Sequence, residues 1–152
     1  MKWILRILLA AALAGIVWWL WQRVFVTDET RVKRQIALMT SAVERGNLLR
    51  LEGAIANDYS DDFGLDKSAL LPAVRSFRVQ YDALFIHISD LGITIEPDHQ
   101  KAQAVFIAKV LAKQKGGTTE TEVRAERFRL YFRKTDEGWK LVRTESPELK
   151  FE

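Results

Sequence analysis

Arg127-Phe128-Arg129-Leu130-Tyr131-Phe132-Arg133-Lys134-Thr135-Asp136-Glu137-Gly138-Trp139-Lys140-Leu141 is the stretch on which the fold turns. Phe128, Leu130 and Phe132 fall on one side of a period of two, and Arg127, Arg129, Tyr131 and Arg133 fall on the other. That is the pattern of a strand with one face in a core. Asp136-Glu137-Gly138 supplies a turn, and a second run from Trp139 to about Glu145 returns as an antiparallel partner.

Working upstream, the arginine-rich strand begins near Glu122 and follows a Gly116-Gly117 hairpin. Before that hairpin, residues from about Ala102 to Lys113 form another strand, in which Ala104, Phe106, Ala108 and Val110 alternate with Val105, Ile107 and Leu111. Both of its faces are apolar, so a partner subunit or the C-terminal tail is expected to cover the outer one. Pro97-Asp98 separates it from a strand starting at Ala83, with Leu84, Ile86 and Ile88 set against Phe85, His87 and Ser89. Four antiparallel strands result.

Three helices are expected before the strands. Thr27 caps the first, Asp28 and Glu29 suit its positive N-terminal end, and Val32, Ile36, Met39 and Val43 form its stripe. Arg45-Gly46 stops it, Asn47 caps a short second helix carrying Leu48, Leu51 and Ile55, and a turn-rich segment NDYSDDFGLD follows. Asp66 caps a third helix with the stripe Leu70, Val74, Phe77 and Tyr81, in which Pro72 predicts a kink or a separated first turn. Helices first and strands afterwards make an α+β domain over residues 27–152.

The chain has 152 residues and a formal charge of +3, and Lys2, Arg6 and Arg23 account for the whole excess. The domain is therefore neutral, which argues against a large polyanion-binding surface, and no nucleic acid is expected. No cysteine is present, so disulfides and thiolate chemistry are excluded.

Residues 3–21 read WILRILLAAALAGIVWWLW, with Arg6 as the sole charge and tryptophans at both ends. As a helix this stretch would cross roughly 28 Å of hydrocarbon. Ala12-Leu13-Ala14 also has the form of a signal-peptide cleavage site, but cutting there would leave a tryptophan-rich tail. An uncleaved anchor over residues 1–26 is the expectation, with residues 3–21 in the bilayer. The domain is expected to face the periplasm or outside of a bacterial-type inner membrane, as a single-pass protein.

Tyr59-Ser60-Asp61-Asp62-Phe63-Gly64 after the second helix, together with Arg133-Lys134-Thr135-Asp136-Glu137-Gly138-Trp139-Lys140-Leu141 at the last hairpin, resembles the nuclear transport factor 2-like (NTF2-like, SnoaL-like) superfamily. The resemblance spans the domain. It implies a cone-shaped fold, with three helices packed on a curved four-stranded sheet around a pocket. Members with this shape include isomerases, dehydratases and protein-binding adaptors, so fold alone leaves function open.

Catalytic members of such a family place an acid or base and a tyrosine in an apolar pocket. Tyr59, Asp61 and Asp62 are the residues for that role, in a small isomerase- or lyase-like enzyme acting on an apolar substrate. Against it, no Asp or Glu stands at the inward positions Leu84, Ile86, Phe128 or Leu130, and Asp61 or Asp62 suits a turn cap. The favoured expectation is a non-catalytic module that binds a protein or a small apolar ligand. Tyr59, Asp62, Phe63, Phe77, Tyr81 and Phe106 are its pocket candidates. His87, Arg127, Arg129 and Tyr131 are candidates for an interaction face, with a homodimer through the sheet.

Metal is not expected, because calcium-loop spacing from Asp58 would need glycine and glutamate where Phe63 and Ala69 stand, and only two histidines are present. No phosphate-cradling loop or hydrolase motif occurs, and no cofactor is implied.

Overall fold

A computed structural model describes residues 11–18 and 27–146, the side chains of 122–124 aside. Residues 11–18 are helical and exposed. The rest of the expected anchor lies outside the described residues, and among the described ones no helix is long and apolar enough to cross a membrane.

Helix α1, Asp28–Arg45, starts where the Thr27 hydroxyl accepts from Thr30 N–H at 3.3 Å and ends at Gly46, whose φ of 67° is left-handed. Gly46 can adopt that geometry without Cβ strain, and its N–H bonds the Val43 carbonyl. Val32, Ile36, Met39 and Ala42 are buried, so Ala42 takes the inward place expected of Val43. Asn47 caps α2, Leu48–Ala54.

Strand β1, Ile55–Asp61, runs through the segment expected to be mostly turn. Ile55, Ala56 and Tyr59 are buried, and their burial gives this polar stretch an inward side. Asp66 then caps α3, Lys67–Arg78, accepting from Ala69 N–H at 2.9 Å. The helix continues across the exposed Pro72 as one span, without the expected separate first turn. Its stripe also ends sooner, because Tyr81 opens β2, Tyr81–Ile95. Strands β3 (Lys101–Gln114), β4 (Glu120–Thr135) and β5 (Gly138–Glu145) complete the chain.

The sheet order is β1-β5-β4-β3-β2. Neighbours among β2 to β5 are antiparallel, as expected, but β1 adds a fifth strand parallel to β5. That pairing joins distant segments and is irregular between Ile55 and Ser60, so no hairpin signal announces it.

The concave face carries the core. Ala102, Ala104, Phe106, Ala108, Leu130, Phe132, Trp139 and Leu141 belong to it and meet the buried stripe of α1. Alanines on β3 leave room for the helices at close-packed density. Phe132 at 1% exposure and Val32 at 0% mark the centre.

Candidate functional site

Tyr59, Asp61 and Asp62 are neighbours in sequence, but the end of β1 sends them to different tasks. Asp61 turns the chain: its Oδ1 accepts from the N–H groups of Phe63 at 2.9 Å and Leu65 at 2.8 Å. This is an Asx-type closure. Asp62 instead pairs with Arg143, 3.2 Å from Nη2. Tyr59 is buried among core side chains, and its hydroxyl shares a hydrogen bond with Thr144. Burial pushes its ionisation up to about 12, against a smaller downward pull from that hydrogen bond.

The pocket candidates are similarly dispersed. Phe63 is half in solvent at 53% exposure. Phe77 and Tyr81 stack at a tilt, 5.1 Å between centroids, at the junction of α3 and β2. Phe106 is buried on β3 beside Phe128, at 6.0 Å. Three solvent-open grooves, of about 670, 690 and 360 Å³, are lined by other residues.

One inward carboxylate escaped the four positions weighed from the sequence. Glu126 on β4 is only 8% exposed and pairs in register with Ala108, and the buried Ser146 hydroxyl donates to its Oε2 at 3.4 Å. The signal was available: counting back by two from Leu130 and Phe128 puts position 126 on the same face.

On the convex face, Arg129 pairs in register with Glu145 and Tyr131 with Arg143. The Tyr131 hydroxyl donates to Glu145 Oε2 at 2.9 Å, while Arg143 Nε lies 3.0 Å from Oε1. Arg129 reaches the same carboxylate at 3.5 Å, and its Nε is buried with no hydrogen-bond partner among the described residues. Asp62 joins this network through Arg143. His87 does not, because β3 lies between β2 and β4 and His87 pairs with Lys109. Arg127 stands opposite Ile107, in a row that also contains Ser89.

Among the described residues, no cluster of three or more His, Asp or Glu is placed to hold a metal ion.

Solved structures share this fold. An NTF2-like protein with a cystatin-like fold from Novosphingobium aromaticivorans is 20% identical, over 91% of this chain and 86% of that one, with a TM-score of 0.64. The fold is NTF2-like. A protein from Streptomyces avermitilis, named a candidate dehydratase from the NTF2-like family, matches at 15% identity, with coverage of 79% and 95% and a TM-score of 0.67. A protein of unknown function from Nostoc punctiforme matches at 12%, with coverage of 80% and 93% and a TM-score of 0.64. No family model matches the sequence, and no curated protein matches it. Identities this low carry the fold and nothing finer.

Proposed function

We propose that this chain is a non-catalytic binding module, held at a bilayer through residues 3–21 and presenting its NTF2-like domain on the exported side. The observation that carries the choice is the separation of Tyr59, Asp61 and Asp62. Asp61 is committed to its own turn, Asp62 to Arg143, and Tyr59 to the core. A general acid or base must lie within hydrogen-bond reach of one substrate, and these three do not converge. The convex face, where the partly buried Val105, Ile107 and Leu111 lie beside the exposed Phe85, is the proposed self-association surface.

A second reading rests on Glu126. A carboxylate on the concave face, in the fold of a protein named a candidate dehydratase, is where a small lyase would keep its acid or base. Photo-crosslinking of the full chain in intact cells separates the two. A binding module gives the same adducts after Glu126→Gln and Tyr59→Phe. Adducts that vanish in folded variants would transfer the case to the enzyme.

A further inference from the structure

The ends of α1 and α3 meet the start of α2 around a groove of about 690 Å³. Arg45, Arg75 and Arg78 line it with Leu48, Leu49 and Val79, and none of its lining residues is acidic. Three guanidinium groups gather there without a carboxylate, in a domain whose charges balance overall.

Arg78 is fixed by two neutral acceptors: Nε donates to the Glu44 carbonyl and Nη1 to the Tyr81 carbonyl, each at 2.8 Å. Main-chain carbonyls orient the fork without cancelling its charge, and Nη2 has no hydrogen-bond partner among the described residues. The Glu44 carboxylate, adjacent to Arg45 in sequence, accepts from the N–H of Ile86 through Oε1. Arg45 and Arg75 are exposed, and their side chains make no ion pair or hydrogen bond with the described residues.

The same groove holds two of the four large apolar side chains of the described domain that are more than half exposed. Leu49 is 82% exposed and Val79 54%, the others being Phe63 and Phe85. Exposed apolar surface rimmed by one sign of charge marks a contact site.

We propose that this groove docks an acidic peptide segment of a partner protein. An apolar side chain of that segment lies between Leu49 and Val79, and flanking carboxylates meet Arg45, Arg75 and Nη2 of Arg78. The charge selects an acidic ligand, and the concavity selects a chain over a flat bilayer. Position in the chain agrees: the groove sits at the C-terminal end of α1, a helix roughly 27 Å long. The inference rests on the binding-module function and names its partner class.

Full-length protein in zwitterionic nanodiscs, titrated with a fluorescent peptide alternating glutamate and leucine, tests it by anisotropy. Saturable, salt-weakened binding is expected, falling about tenfold or more in R45E/R75E and in L49D. These positions are exposed, and circular dichroism checks that the variants fold. Equal affinity for a lysine–leucine peptide, unchanged binding in R45E/R75E, or no peptide binding alongside capture of phosphatidylglycerol vesicles would each overturn the proposal. Cellular crosslinks distinguish the two failures. If they persist in R45E/R75E while the peptide does not bind, the groove falls and the module stands; if none form in the parent, the module falls.

Discussion

Glu44, near the end of α1, accepts a hydrogen bond from the main-chain N–H of Ile86, 2.8 Å away on β2. β2 is an edge strand, and an unpaired edge invites other strands to join it. A helix side chain thus satisfies one outward donor of the edge. Arg78 binds the Glu44 carbonyl as well, so α1, α3 and β2 meet at one residue.

Glu44→Ala should therefore cost about 1–2 kcal/mol, the range for orphaning a partly buried main-chain donor. Hydrogen exchange at Ile86 should quicken more than at interior β3 amides. Unchanged Ile86 protection would show that the contact contributes nothing.

Asp28 ties the start of α1 to the sheet. Its carboxylate lies 3.0 Å from Lys134 Nζ and 3.1 Å from His99 Nδ1, and the Lys134 ammonium also sits 5.7 Å from the Trp139 ring centroid. Desolvation raises the Asp28 ionisation, but the hydrogen bonds from Lys134 and His99 outweigh it and hold the group below the ordinary 3.8. A depressed folded value favours folding above the unfolded pKa, and that contribution disappears as pH falls through the folded one. Asp28→Asn should thus be less stable than the parent at neutral pH, with the gap closing acid of 3.8 in denaturant titrations. A gap that persisted unchanged into strong acid would refute the ionic account.

Tyr59 has the opposite sign. Its folded value is raised from 10.0 to about 12, so its effect on stability is absent below 10 and turns against the fold as pH climbs towards 12. Ultraviolet titration should show one phenolate forming only near pH 12, and Tyr59→Phe should remove that step. Complete ionisation of all three tyrosines by pH 11 would contradict its burial.

Adjacent aspartates should differ. Asp61→Ala strands two N–H donors and should cost about 1–2 kcal/mol, while Asp62→Ala breaks one exposed ion pair and should cost less than about 1. Thermal melts of the two variants check the order, and equal losses would mean that the turn does not depend on Asp61.

Much of this was legible from spacing. Thr27, Gly46, Asn47 and Asp66 end or begin helices where their cap chemistry says they should, because capping is local. Alternation likewise placed Phe132 and Leu130 inside. β1 was illegible because Asn57, Asp58, Asp61 and Asp62 have turn chemistry, and only pairing with β5, far along the chain, makes the segment extended. His87 would join the Arg127 face only if their strands were neighbours, and β3 intervenes. Which carboxylates would be used up by turns and ion pairs depends on tertiary partners such as Arg143, beyond the reach of any motif.

Self-association through the convex face predicts a dimer by light scattering of the detergent-solubilised chain, converted to a monomer by Phe85→Glu. A monomer at high concentration in the parent would contradict it.

The central claim is that the domain works by binding and not by catalysis. The most direct measurement is in-cell photo-crosslinking of the full chain carrying Tyr59→Phe, Asp62→Asn and Glu126→Gln together, with the fold confirmed on purified protein. Adducts identical to those of the parent are predicted, and their loss from a folded triple variant would contradict the account.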